Sequence, residues 1–243
     1  LALGIFFNGV MGALLYIAIY AFPLMAQINL GWTTTLSGLA LVPGTFISIV
    51  GMAISKKMLA KGVSLRTLMI GGFICTFIFG LWMCYQSPDS SWWDLFYPLL
   101  FRGLGIGLFM LPVLIMALEG LRGADIGQGT GLANMAKQQG GTFGLALIGT
   151  HISNSQAVDQ ALLSSHITLY APNCTNAVSG LTHLLQGMGY DTGSVQALCY
   201  KLLDYSVFQQ SSLLSYLSSF RVLAIICVVS LPLMLLLRKH QEP

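Results

Sequence analysis

The sequence predicts an all-α membrane protein with six transmembrane helices, and three observations carry that prediction. Only 8% of the 243 residues are charged and 55% are hydrophobic, with a mean hydropathy of +0.76. A soluble domain carries about 25% charged residues, so this surface is not built for water. The apolar runs are long enough to cross a hydrocarbon core, which takes roughly 20 helical residues. Most of the basic side chains, finally, gather at one end of those runs. A β-barrel would need alternating strands of about ten residues, and the apolar run 222–237 contradicts it. Lipid-facing backbone must satisfy its own hydrogen bonds, so the runs read as helices.

The six spans are 5–26, 36–55, 68–86, 95–118, 129–152 and 213–237, joined by polar or charged connections. The first lacks the basic leader and small-residue cleavage site of a signal peptide. It starts almost at Leu1, with no initiator Met, and the chain is expected to be the C-terminal part of a longer polypeptide. The second span ends at Lys56 and Lys57, and the third follows Lys61 and Arg66. Arg122 lies between the fourth and fifth, and Arg238 and Lys239 follow the sixth. With the first span running outward, these seven basic residues lie inside and only Lys201 lies outside. By the positive-inside rule both termini are cytoplasmic, and the expected location is a bacterial inner membrane.

The outer connection 153–212 is long, with apolar residues at semi-regular intervals. Residues 180–188 and 195–208 read as short amphipathic helices on the outer rim, broken at Pro172-Asn173 and over 187–193. Cys174 and Cys199 lie in this loop and are a candidate disulfide in an oxidising compartment. Cys75, Cys84 and Cys227 read as small apolar residues within helices. Asn173-Cys174-Thr175 fits a glycosylation sequon, a pattern common by chance.

Arg102, in the outer half of the fourth span, is the most demanding residue. A guanidinium at mid-helix costs at least ~2.5–3.5 kcal/mol, so it faces a watery cavity or an acidic partner, or else snorkels to the outer interface. Gly103, Gly105 and Gly107 allow a neighbouring helix to come close, and Pro112 supplies a kink. With no preceding strand, these glycines are not a nucleotide loop. In the fifth span Gly140 and Gly144 form a small-xxx-small packing face, as do Gly127 and Gly131. Asn134, Lys137 and Gln138 share one face at helical spacing, either lining a cavity or forming an interhelical hydrogen-bond strip. Lys137 also reaches toward the inner surface.

Several segments resemble a known family. Phe22-Pro23-Leu24-Met25-Ala26-Gln27 with Leu36-Ser37-Gly38-Leu39-Ala40-Leu41-Val42-Pro43-Gly44 resembles a seam between two spans of the major facilitator superfamily. More narrowly, it is similar to the C-terminal half of the 14-helix drug:proton antiporter branch. Leu100-Phe101-Arg102-Gly103-Leu104-Gly105-Ile106-Gly107 resembles that branch's later helices, as do Gly129-Thr130-Gly131-Leu132-Ala133-Asn134, Gln139-Gly140-Gly141 and Gly144. Ser215-Tyr216-Leu217-Ser218-Ser219-Phe220-Arg221, and Leu237-Arg238-Lys239 after the last span, are also similar. The likeness runs through nearly the whole chain and is weakest in the outer loop.

The resemblance implies one six-helix bundle, the last six helices of fourteen, whose partners are the lipid bilayer and an N-terminal bundle of the same polypeptide. It implies a proton-coupled secondary transporter that exports lipophilic small molecules by alternating access, without a cofactor. Asn8, Met11, Tyr16, Arg102, Met110, Asn134 and Gln138 become substrate-path candidates, with Arg102 and Lys137 in coupling or gating. For Met11, Tyr16 and Met110 the competing reading is ordinary helix packing. Methionine and aromatic linings suit varied lipophilic substrates because they repack and offer cation–π faces.

The chain departs from the family pattern in places. The inner loop Met58-Leu59-Ala60-Lys61-Gly62-Val63-Ser64-Leu65-Arg66 has Ala60 where the family's acidic–basic–glycine–basic signature places an acid. Lys137 stands where the branch tends to have Arg, which loses the bidentate fork. No carboxylate lies deep in a span: Asp94, Glu119 and Asp125 fall at ends or in loops. The family's proton-carrying carboxylate usually lies in the N-terminal bundle, so this chain alone should not complete the cycle.

Other classes fit less well. His151, His166, His183 and His240 show no i, i+3 or i+4 pairing, and no span is expected to carry a serine at the depth of a histidine. That argues against an intramembrane enzyme, and no grouping has metal-ligand spacing. A truncated or non-transporting module that packs against a partner bundle is the alternative to a transporter. The net charge of +3 reflects membrane topology rather than a nucleic-acid patch.

Overall fold

The computed structural model describes residues 2–87, 90–123, 125–166 and 192–235. All regular structure among them is helical: α1 (Ala2–Asn29), α2 (Thr34–Leu39), α3 (Leu41–Ala60), α4 (Leu65–Met83), α5 (Trp92–Leu118), α6 (Asp125–His166) and α7 (Thr192–Leu235). Five stretches are long and apolar enough to cross a membrane: α1, Thr34–Ala60, α4, α5 and Asp204–Met234 of α7. The expected fifth span, 129–152, is helical within α6 but falls short of that apolarity. Thr130, Asn134, Lys137, Gln138 and Gln139 dilute it.

Local chemistry sets the ends of these helices. Pro43 has no N–H for the Leu39 carbonyl, and the helix is interrupted at Ala40. The backbone there stays right-handed (φ −61°, ψ −25°), so α2 and α3 run on as one span. The α3–α4 turn closes as a Schellman motif: Gly62 N donates to Leu59 O at 3.0 Å and Val63 N to Met58 O at 3.1 Å. The motif needs a left-handed residue, which Gly62 supplies at φ 82°. Ser64 then caps α4 by accepting from Thr67 N. Ser91 opens α5 with a capping box, its own N donating to Asp94 Oδ2 at 2.9 Å.

The last connection differs from expectation. At 1.5 Å per residue the 42-residue α6 is about 63 Å long and the 44-residue α7 about 66 Å, against a core of roughly 30 Å. The stretch read as loop from 153 is therefore helix as far as His166. Ala157, Ala161, Leu162 and Leu163 favour helix there, and Gln156 Nε2 donates to Ser212 Oγ at 2.9 Å. Residues 195–208 are helical too, but continuous with the last span rather than a separate rim helix. Residues 180–188, Pro172-Asn173, the sequon and Cys174 lie outside the described residues, as does the Cys199 side chain.

In the bundle α5 runs between α3 and α4, α6 lies along α1, and α7 packs on α6, α4 and α1. Two groups of helices meet tightly enough to exclude side chains, and between them Gly4 of α1 abuts the backbone of α5 at Ala117. A Cβ on Gly103 would land on the Gly44 carbonyl of α3, and one on Gly107 would land on that of Ser48. On the other side of α5, a Cβ on Gly105 would sit 2.6 Å from Thr76 Oγ1 of α4. Along α1 and α6, a Cβ on Gly12 would meet the Lys137 carbonyl and one on Gly140 the Gly9 carbonyl. On Gly144 it would sit 2.8 Å from Ala13 Cβ. Such small-residue contact drives helix association in lipid, where no hydrophobic force acts between helices. Aromatic pairs fill the interior, with Phe73 stacked on Phe109 at 5.2 Å and Phe79 edge-on to Phe220 at 5.8 Å.

Gly103→Ala or Gly140→Ala should each destabilise the bundle by about 1–3 kcal/mol, the usual cost of overpacking. Gly149 has open space around it, and Gly149→Ala should be neutral or stabilising by up to about 1 kcal/mol. Thermal unfolding of the purified variants in detergent checks both.

Candidate functional site

The site is built on α5, whose glycines bring α3 and α4 against its backbone, with Arg102 immediately before the first of them. Arg102 is only 6% exposed, and its Nε is buried with no hydrogen-bond partner among the described residues. The buried polar side chains are otherwise Asn, Gln, Ser and Thr, with no carboxylate among those described. The desolvation of this guanidinium is thus not offset by any described acid of the bundle. Asn8 of α1 is within reach of both Gly4 O (3.0 Å) and Val113 O (3.4 Å) for its Nδ2 donor, and Gly4 itself abuts Ala117. Continuing this antiparallel register places Arg102 level with Ala18 and Ile19 of α1.

Two prolines interrupt α5, and each frees a carbonyl four residues earlier. Pro112 frees Leu108 O, which accepts from Ser55 Oγ of α3 at 3.2 Å. Pro98 frees Asp94 O, which accepts from Gln86 Nε2 in the α4–α5 connection at 3.4 Å. Side chains that re-satisfy such groups make proline tolerable within a span. The sequence shows which carbonyls are orphaned but not which donors reach them, so Ser55 and Gln86 were missed as supports of the site.

The other predicted residues divide between interior and surface. Asn8 and Met11 are buried in the bundle, and the Asn8 amide is committed to α1 and α5. Tyr16 is half-buried, its ring where a Cβ on Gly141 would fall. Met110, Asn134 and Gln138 are exposed, and Lys137 is half-buried with its carbonyl over Gly12. The polar triplet of α6 is thus split, with Lys137 turned toward α1 relative to its two neighbours. Asp94 is held in its capping box, and Arg66 Nε donates to Met234 O near the end of α7 at 3.1 Å.

The structure corrects one expectation about serine and histidine. His151 Nε2 lies 3.1 Å from Ser218 Oγ across the α6–α7 seam, a proximity that spacing within either helix cannot reveal. Ser218 Oγ also reaches Ser215 O at 2.8 Å, a carbonyl that Ser219 Oγ reaches as well, so the donor of the His151–Ser218 bond is set by the imidazole tautomer. Cys75, Cys84 and Cys227 are free thiols. Among the described residues no group of three or more His, Cys, Asp or Glu is placed to hold a metal ion.

No protein-family model matches the chain. It is 23% identical over 232 residues to the uncharacterized MFS-type transporter YhcA of Bacillus subtilis, covering 95% of this chain and 43% of that protein. It is 24% identical over 214 residues to the fatty acid resistance protein FarB of Neisseria gonorrhoeae, covering 87% and 40%. It is 28% identical over 144 residues to the cephamycin export protein CmcT of Amycolatopsis lactamdurans, covering 59% and 30%. The chain is related to transporters of the major facilitator type. It spans less than half the length of these three relatives, and its apolar helices make it a multi-pass membrane protein.

Ser55→Ala removes the donor to Leu108 O and should destabilise the bundle by about 0.5–1.5 kcal/mol, the range for interhelical hydrogen bonds in membranes. Ser55→Thr, which keeps the hydroxyl, should recover part of the loss in the same unfolding assay.

Proposed function

We propose that this chain is the C-terminal six-helix bundle of a fourteen-helix, proton-coupled exporter of lipophilic small molecules. The observation that carries the proposal is the extended match to export and resistance proteins over less than half their length. Six helices of fourteen make about 43% of such a protein, the fraction of the Bacillus relative that the chain matches. The names of other relatives, the cephamycin export protein and the puromycin resistance protein pur8 of Streptomyces alboniger, supply the substrate class. Alternating access then follows from two bundles rocking about a central site.

The ends of the bundle support a cytoplasmic position for both termini in an inner membrane. Lys56, Lys57, Lys61 and Arg66 cluster at the α3–α4 end, and Arg122 follows α5 at the same end. All four tryptophans, Trp32, Trp82, Trp92 and Trp93, belong to the opposite end, where Trp32 stacks on Trp92 at 5.2 Å. Basic residues mark the cytoplasmic side and tryptophans settle at the interface.

In this reading Tyr16, Met110, Asn134 and Gln138 form wall of the substrate path, and Asn8 and Met11 support it from behind. Arg102 is a coupling or gating element whose counter-charge comes from the partner bundle or from an acidic group on the substrate. Lys137, close to the α1 backbone, adjusts the α1–α6 seam, while Gly103, Gly105, Gly107, Gly140 and Gly144 keep the helices in contact as the bundle moves. Cys174 and Cys199 remain the proposed outer disulfide.

The test is ethidium efflux from an efflux-deficient bacterial host that expresses the native polypeptide, whose mass should be near twice 26.2 kDa. Arg102→Ala, at normal membrane abundance, should lower the initial efflux rate roughly ten- to a hundredfold, and Arg102→Lys should restore only part of it. An Arg102→Ala protein that exports at full rate would remove the guanidinium from the mechanism.

A further inference from the structure

We propose that the groove between α4 and α7, at the tryptophan end of the bundle, holds an anionic phospholipid whose phosphate sits on the Arg221 guanidinium. The site rests on the membrane embedding of α4 and α7 and not on what the protein carries. Arg221 is exposed and shares one face of α7 with Leu214, Ile225 and Val228, which are exposed too. Residues at these helical spacings line one side of a helix, so the cation sits in an apolar strip that meets lipid. The antiparallel register of α4 and α7 sets its height. A Cβ on Gly80 would sit 3.3 Å from both the Phe220 carbonyl and Ala224 Cβ, and Cys84 Sγ reaches Leu217 O at 3.6 Å. Arg221 is therefore level with Leu81 and Trp82, about 20 Å from Met234 at 1.5 Å per residue. Its guanidinium lies beside the Cys84 thiol at the end of α4.

No described carboxylate is placed to neutralise this charge. Helix α4 carries none, and Asp204 of α7 stands about 25 Å further out along its own helix. On α6 the residue that meets Ser218 is His151, and Asp159 lies about 12 Å beyond it. Asp94 is held in the capping box of α5, while Glu119 and Asp125 belong to the opposite end of the bundle. The positive-inside rule accounts for the basic cluster at that opposite end and leaves the guanidinium of Arg221 unexplained.

A phospholipid supplies the missing anion. The planar fork of a guanidinium matches phosphate with two parallel N–H donors, and the long stem lets the head reach the interface while its methylenes stay in lipid. Trp82, at the same level, marks that interface. Leu81 and Tyr85 of α4 and Leu214 of α7 are exposed on the two sides of the groove, giving apolar walls for acyl chains and a ring at headgroup height. A zwitterionic headgroup brings its own cation to the phosphate, so an anionic one gains more from Arg221. Basic side chains set between spanning helices recognise acidic headgroups in this way. Bound there, the lipid touches α4 and α7 together.

Photo-crosslinking tests the site, with a diazirine-bearing phosphatidylglycerol added to the native polypeptide in phosphatidylcholine nanodiscs and the labelled peptides mapped by mass spectrometry. The expected label falls on the groove, in the peptides that hold Tyr85 and Leu214. Arg221→Gln should lower it roughly tenfold, the worth of a charge-assisted hydrogen bond, and Arg221→Lys should keep part of it. Label at the basic cluster from Lys56 to Arg66 should stay unchanged in both variants, which shows that the bundle is intact. A diazirine phosphatidylcholine with the same chains should label the groove far less. Equal labelling of the groove by the two lipids, or in wild type and Arg221→Gln, overturns the proposal. Loss of the groove label on adding inorganic phosphate assigns the guanidinium to a soluble anion and overturns the lipid as its ligand.

Discussion

Within a hydrocarbon slab each backbone N–H and C=O must find its partner inside the protein, and much of this structure answers to that demand. Helices meet it along their length; the difficulty lies at their ends and at prolines. Here the ends are closed by local devices: the Schellman turn at Gly62, the Ser64 cap and the Ser91–Asp94 box. The two prolines of α5 are handled by side chains from elsewhere, Ser55 and Gln86. The serines of α7 mostly turn inward in the same way, with Ser215 and Ser219 donating to carbonyls four residues back. Arg102 Nε and Asn29 Oδ1 stand out because they belong to the same buried interior and have no such partner among the described residues.

With most buried polar groups satisfied within or between helices, association depends on close packing. The glycines concentrate it into two seams, α3–α5–α4 and α1–α6, while polar side chains hold the seams to one another. Asn8 joins α1 to α5, His151 and Gln156 join α6 to α7, and Asn29 Nδ2 donates to Gln209 O at 2.7 Å to join α1 to α7. Small residues thus determine where backbones touch, and amides and hydroxyls determine the registers in which they do so.

The helical class was legible from composition and run length, because hydropathy reports directly on the solvent a segment can enter. Helix limits were less legible. The extension of α6 to His166 depends on packing against α7, which includes Gln156 on Ser212, and that is tertiary information. The glycines of α5 announced close approach, but nothing in the sequence said that Gly103 and Gly107 serve one neighbour and Gly105 another. The same limit applied to the site. Arg102 was visible as a charge in an apolar run, whereas Ser55, Gln86 and the His151–Ser218 pair come from different helices and no spacing rule links them. The shared face inferred for Asn134, Lys137 and Gln138 was coarser than the structure, which sets Lys137 nearer α1.

The two-sided glycine seam of α5 has a mechanical consequence. Helices separated by side chains can slide, because rotamers give way; helices in backbone contact have nothing between them to deform. The group α3–α5–α4 is therefore a stiff plate, and α1 with α6 is a second one. Relative movement within the bundle falls to the joint between the plates, spanned by α7, by the Asn8 amide and by the backbone contact of Gly4 with Ala117. A molecule that has to change shape while embedded in a fluid would in this way keep its internal strain in one narrow line, and its two plates would turn about it like the boards of a book about the spine.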